Sequence, residues 1–149
     1  MFWKNTVSPE LLTMVATIQM HPLFMDYVLV GGTALSLQLG HRQSLDIDLF
    51  TIKKQNNQIL LEYFRDTFND LEVLYNDTGI LQIIVNNIKV DMVCMKGNLV
   101  ENPITVDGIT FLGIHDITAM KLMAITDRKT PKDYIRYVRQ PIIYICFQS

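Results

Sequence analysis

The sequence predicts an α/β (α+β) domain, and three observations carry that prediction. A short apolar run at Tyr27–Val30, buried-strand in character, passes through a glycine pair directly into a helix-like segment. Strand signals separated by tight turns then fill Leu71–Cys94. From Ile114 the apolar period becomes helical again. The length, 149 residues, predicts one domain over residues 1–149, with a short or truncated C-terminal helical region from about 114. Apolar residues make up 49% of the chain and charged residues 19%, which is enough to fill a core and excludes wholesale disorder. A net charge of −2 excludes a global basic signature, so any nucleic-acid contact must come from a local patch.

The elements follow in order. Ser8-Pro9-Glu10 has the chemistry of a helix start: a capping hydroxyl, a proline for the first helical position, and an acid at the positive end of the dipole. Leu11, Val15 and Ile18 share a face, widened by Leu12 and Met14, and His21-Pro22 ends the helix. After the strand at Tyr27–Val30 and the pair Gly31-Gly32, Thr33–Leu39 reads as a short helix capped by Gly40. His41-Arg42-Gln43-Ser44 is a polar turn. Leu45–Ile52 alternates as a strand, with Asp46 and Asp48 on one side and Ile47 and Leu49 on the other.

Asn57–Phe68 reads as an amphipathic helix with Leu60, Leu61, Phe64 and Phe68 inward. Strands at Leu71–Tyr75, Ile80–Val85 and Ile88–Cys94 are joined by Asn76-Asp77-Thr78-Gly79 and Asn86-Asn87, so two adjacent hairpins are expected. Pro103–Thr110 adds a small edge hairpin around Asp107-Gly108. The helix from Ile114 carries Asp116 in its first turn and turns Ile117, Met120, Ala124 and Ile125 inward. Thr130-Pro131 then opens a last helix, Lys132–Arg139, which Pro141 stops before the apolar tail Ile142–Phe147. The two cysteines, Cys94 and Cys146, lie far apart in apolar settings and read as thiols of a reducing compartment. No segment holds the roughly 18 uninterrupted apolar residues of a membrane span, and the N-terminus lacks a signal-peptide layout. A soluble cytoplasmic protein without membrane contact is the expectation.

The chemistry concentrates in Gly31–Phe50. A strand that turns straight into a helix presents unpaired amides and a positive dipole end, which favour an anion. Glycines let phosphate approach the backbone, and Thr33 adds a hydroxyl. A plain strand-to-helix turn also explains these three residues. Asp46 and Asp48 aim two acids at one side of a strand, where they repel unless a cation compensates. Oxygen-only ligands favour Mg²⁺ or Mn²⁺, against the alternative of a solvated edge strand. Asp91 interrupts the apolar strand Ile88–Cys94, and Lys89 shares its polar side. That makes Asp91 either a third carboxylate of the site or an exposed strand position. Thr118, Lys121 and Arg128 fall on one stripe of the helix from Ile114, two bases that would suit a triphosphate or simply face solvent.

These residues resemble the AbiEii/AbiGii-type nucleotidyltransferase toxins, relatives of the MenT toxins within the DNA polymerase β-like nucleotidyltransferase superfamily. The likeness is carried by GGTALSLQLGHRQSLDIDLF, then IKVDMV, then DITAMKLMAITDRKTPKDYI, and spans Tyr27 to about Ile135. It implies a nucleotidyltransferase fold, a mixed sheet flanked by helices, and metal-assisted transfer of a nucleoside monophosphate from an NTP to an RNA (tRNA) or protein hydroxyl. On that likeness Gly31, Gly32 and Thr33 hold phosphate, while Asp46, Asp48 and Asp91 are the metal-binding and catalytic acids. Lys121 and Arg128 face the triphosphate, and Asp133 is the first acid of a final motif. The implied cofactor is Mg²⁺ or Mn²⁺. The implied setting is a toxin–antitoxin or abortive-infection pair with a cognate antitoxin, and the apolar tail suggests packing on the domain or on a second copy. Two departures stand out: Arg136 replaces a second acid of the final motif, and the chain turns at Pro141. They favour the alternative of a catalytically impaired nucleotide-binding or partner-binding module of the same fold.

Overall fold

Helix α1 (Pro9–Met20) begins where Ser8 leaves an extended conformation and its hydroxyl accepts the Leu11 N–H at 3.1 Å. Its face of Leu11, Met14, Val15 and Ile18 is buried, and extended His21 ends it. The structure, a computed structural model, describes residues 2–94 and 96–127, the side chains of 123–127 excepted. A single-turn 3₁₀ segment, Pro22–Phe24, leads into β1 (Val28–Val30), all three residues of which are buried. Helix α2 starts directly at Gly31 and runs to Leu39, two residues earlier than its apolar pattern suggests, and left-handed Gly40 closes it. Strand β2 (Ile47–Thr51) follows, then α3 (Asn57–Thr67), whose N-terminal amides at Gln58 and Ile59 are capped by Asn56.

The expected hairpins are present. β3 (Leu71–Asp77), β4 (Ile80–Val85) and β5 (Ile88–Cys94) form an antiparallel meander. β3 extends two residues beyond its sequence prediction and absorbs Asn76 and Asp77, leaving only Thr78-Gly79 as the turn. Asn86 and Asn87 both take positive φ, 46° and 64°, as a two-residue hairpin turn requires. β6 (Ile104–Val106) and β7 (Ile109–Phe111) form the last hairpin around Asp107-Gly108. Of this hairpin only β6 lies at a sheet edge, because β7 pairs in parallel with β1. Helix α4 (Ile114–Asp127) completes the described chain. Arg128, Asp133, Arg136, the expected last helix, the apolar tail and Cys146 lie outside the described residues.

One seven-stranded mixed sheet results, in the order β3-β4-β5-β2-β1-β7-β6. Its centre is set by two parallel pairings, β2 with β5 and β1 with β7, around an antiparallel β1–β2 pair. α3 packs on β3 and β4, α1 on β7, and α2 on β1, β2 and α4. Alternation sorts each central strand. Ile47 and Leu49 of β2, Val90 and Met92 of β5, and Leu81, Ile83 and Val85 of β4 are wholly buried. The intervening positions, Asp48, Asp91 and Gln82, are only partly buried and so fall on the opposite face of the same strands. Among the described residues no helix is long and apolar enough to cross a membrane.

Candidate active site

A single row of the sheet carries Asp48 and Asp91. Gln82 of β4 is opposite Asp91 of β5, Asp91 is in register with Asp48 of β2, and Asp48 is opposite Val30 of β1, after which the chain turns at Gly31. Parallel register therefore brings together two carboxylates 43 positions apart in the sequence. Asp46 precedes β2 and is exposed, and its charge still reaches Asp48. The Asp48 carboxyl is raised to about 6, first by burial, then by the negative charges of Asp91 and Asp46, with Lys89 and Lys121 opposing weakly.

The two oxygens of Asp91 have different surroundings. Oδ2 accepts from Lys89 Nζ at 2.9 Å and from Gln82 Nε2 at 3.4 Å. Oδ1 is buried and has no hydrogen-bond partner among the described residues. An orphaned carboxylate oxygen beside a second, protonation-prone carboxylate is an arrangement that a divalent cation with oxygen ligands would relieve. The donor chemistry thus fits Mg²⁺ or Mn²⁺. The acids share one electrostatic field without being gathered into a coordination shell: among the described residues no group of three or more His, Cys, Asp or Glu side chains is placed to hold a metal as it stands.

The glycine pair is shaped by the side chains next to it. Gly31 has φ +69°, and a Cβ there would overlap the Asp48 carboxylate. A Cβ on Gly32 would overlap the Arg42 guanidinium. The glycines thus make room for an acid and then a base, one residue apart. Thr33 has a task other than the expected phosphate contact. It is fully buried, and its hydroxyl bonds to Ser44 Oγ at 2.8 Å and donates to the Asp46 carbonyl, tying the first turn of α2 to the aspartate segment.

Lys121 on α4 is partly buried beside this turn. Its pKa is lowered chiefly by burial and then by Arg42, while Asp48 acts the other way. His41 is held below its usual range by burial, then by Arg42 and Lys121, and neither ring nitrogen has a partner among the described residues. The structure therefore assembles Gly31, Gly32, Asp46, Asp48, Asp91 and Lys121 and adds Arg42, Lys89, Gln82 and Ser44, to which the sequence assigned no role. Arg42 and Ser44 stand in a stretch that reads as a turn, and Gln82 looks like an ordinary strand position. Lys89 left a signal as the polar neighbour of Asp91. Asp116, expected only in a first helical turn, is buried and accepts the Val100 and Glu101 amides at 2.7 and 2.9 Å, which pins the segment before β6. A separate polar cavity, lined by Lys54, Gln55, Asn57, Asn76 and Asp77, lies beyond the far end of β2. Its amides are already bonded to one another and to the backbone, and it contains none of the acids of the row.

A carboxylate pair on adjacent parallel strands of a mixed sheet, next to a glycine turn at a helix start, defines a nucleotidyltransferase-fold domain. Solved structures share the fold. A protein from Helicobacter pylori described as a nucleotidyltransferase aligns with a TM-score of 0.58 and 21% identity over 80% of this chain and 57% of its own. The Megavirus polyadenylate synthase aligns with a TM-score of 0.54 and 16% identity over 85% of this chain and 30% of its own. The model of the nucleotidyl transferase AbiEii toxin family, type IV toxin–antitoxin system, matches residues 13–135, and the chain belongs to that family. It is also 34% identical over 112 residues to an uncharacterized protein of Aquifex aeolicus (strain VF5), covering 73% of this chain and 54% of that one. The chain thus spans about half the length of that relative.

Proposed function

We propose that the protein is a divalent-metal-dependent nucleotidyltransferase that moves a nucleoside monophosphate from an NTP to an RNA (tRNA) or protein hydroxyl. In this reading it is the toxin of a toxin–antitoxin pair with a cognate antitoxin. The observation that carries the reading is the register of Asp48 and Asp91 on adjacent parallel strands, with the Asp48 carboxylate against Gly31.

Asp46, Asp48 and Asp91 would hold Mg²⁺ or Mn²⁺. When bound, the metal supplies positive charge to the reacting phosphoryl group. The residues of the chain supply the rest. Lys89 and Gln82 hold Oδ2 of Asp91, which leaves Oδ1 to take the proton of the acceptor hydroxyl. The freed oxygen forms a bond to the α-phosphorus. The bond from that phosphorus to the bridging oxygen breaks, and its electron pair leaves with pyrophosphate toward the α2 N-terminus and Lys121. Arg128 and Asp133, outside the described residues, belong to this reading through the family likeness.

The test is transfer of label from each of the four α-³²P NTPs, with MgCl₂ or MnCl₂, to total RNA, tRNA and protein extract. Wild type should label one acceptor class, and Asp48→Asn and Asp91→Asn should not. Equal labelling by wild type and both variants would sink the reading.

A further inference from the structure

We propose that Arg42 is a second cation for the polyphosphate of the nucleotide, holding it with Lys121 over the Gly31–Gly32 turn. The proposal rests on the nucleotidyltransferase reading above and adds to it the residue that fixes which way the triphosphate lies.

The consecutive glycines are the first ground. Space above Gly31 is filled by the Asp48 carboxylate, and space above Gly32 by the Arg42 guanidinium. An acid and a base are thus set side by side along the first turn of α2, where unpaired amides lie. Such a pair could quench itself in a salt bridge, but among the described residues Arg42 makes none. Among the described residues its one side-chain hydrogen bond is a long contact of 3.4 Å from Nη1 to the carbonyl of the adjacent Gln43. A guanidinium has five donors in a fixed fork suited to phosphate oxygens, so most of that capacity stays open toward the turn.

The second ground is company. Arg42 and Lys121 come from different elements, a loop and α4, yet the charge of Arg42 acts on Lys121 and both charges act on His41. Two cations drawn together repel, and an anion placed between them relieves the repulsion. The carboxylate row repels anions from the other side. A triphosphate therefore has one favoured direction: its reacting end, with the metal, toward Asp48 and Asp91, and its tail toward Arg42 and Lys121. A nucleoside monophosphate has no tail to place there.

Equilibrium binding separates the possibilities. Mg·ATP, Mg·GTP, Mg·CTP and Mg·UTP, the matching monophosphates and inorganic tripolyphosphate are titrated into wild type, Arg42→Met and Arg42→Lys. Arg42 is exposed, so both variants should keep the wild-type melting temperature. Arg42→Met should weaken the preferred NTP and tripolyphosphate at least tenfold and leave the monophosphate within twofold. Arg42→Lys should recover part of the loss, because charge returns without the fork. If Arg42→Met binds tripolyphosphate and NTP like wild type, or loses monophosphate and triphosphate alike, the assignment of Arg42 is wrong and the nucleotidyltransferase reading stands. If wild type binds no NTP and no tripolyphosphate, that reading fails and Arg42 with it.

Discussion

Asp48 and Asp91 are in register on a parallel strand pair, and Asp91 carries Lys89 directly on one carboxylate oxygen. Lys89 Nζ lies 2.9 Å from Asp91 Oδ2, while the Asp48 carboxyl is raised to about 6 by burial and by its acidic neighbours. The asymmetry divides their roles. Asp91 is oriented by Lys89 and Gln82, and Asp48 is the acid whose charged form burial and its acidic neighbours disfavour most.

Asp91→Asn should therefore make the resting protein more comfortable and the enzyme inert. Removing the charge lowers the Asp48 pKa toward the ordinary carboxylate range, and a melting curve at neutral pH should show no loss of stability. NMP transfer should fall by at least ~100-fold, the usual scale for losing a general base. Carbon-detected NMR titration of the Asp48 carboxyl, run beside the labelling assay, checks both halves.

The pH dependence has a definite sign. Asp48 has a folded pKa of about 6 against an ordinary 3.8. Its contribution to stability is fully present below the lower value and is lost as pH rises through the upper one. A shift of this size corresponds to something on the order of 2–3 kcal/mol, with partial exposure reducing it. Denaturant unfolding of metal-free wild type and Asp48→Asn should show the variant gaining relative stability between pH 4 and 7. Mn²⁺ competes with the proton, so its affinity for wild type should rise across the same window and level off above about pH 7, the pKa region once passed. Calorimetry at pH 5, 6 and 7.5 measures this. An affinity that stays flat with pH would leave Asp48 out of the metal site.

The two glycines should respond differently to alanine. Gly31 combines φ +69° with a Cβ that would overlap Asp48, so Gly31→Ala incurs backbone strain of about 1–3 kcal/mol and displaces the Asp48 carboxylate. Gly32 has ordinary helical geometry, and its Cβ meets only the movable end of Arg42. Helix propensity favours alanine there by roughly 0.5–1 kcal/mol, so Gly32→Ala should melt within a few degrees of wild type. Its defect should be a raised KM for NTP at near-normal kcat. Thermal melts and steady-state kinetics of the pair distinguish the two roles.

The fold was legible because each element obeys its own local rule. Ser8-Pro9, Asn86-Asn87 and Asp107-Gly108 place their cap and turns with little help from tertiary structure, and the apolar period locates the strands. Half of the candidate site was legible for the same reason: Gly31, Asp46 and Asp48 are close in sequence, and Asp91 is conspicuous on an apolar strand. What the sequence could not convey is register. Nothing local says that Asp48 pairs with Asp91 rather than with Lys89 or Val93, and a one-residue slip would face it away. Arg42 was hidden because a polar turn and a cation poised over a glycine use the same letters. The Thr33 tie was equally hidden, because a hydroxyl beside a glycine pair suits a phosphate as well as it suits a buried contact.

That tie yields a last expectation. The Thr33 hydroxyl bonds to Ser44 Oγ at 2.8 Å and to the Asp46 carbonyl. Thr33→Val keeps the shape of the side chain and removes both contacts, leaving a buried serine hydroxyl and a carbonyl each short of a partner. Such a loss costs about 1–3 kcal/mol. Ser44→Ala removes one of the same bonds, so the double variant should cost less than the sum of the singles by roughly 0.5 kcal/mol or more. Since the hydroxyl points into the protein, Thr33→Val should bind tripolyphosphate within about twofold of wild type, a change worth under ~0.5 kcal/mol. Its transfer rate should fall, because Asp46 loses its anchor. A tenfold loss of tripolyphosphate affinity in Thr33→Val, with stability unchanged, would restore Thr33 to the phosphate site.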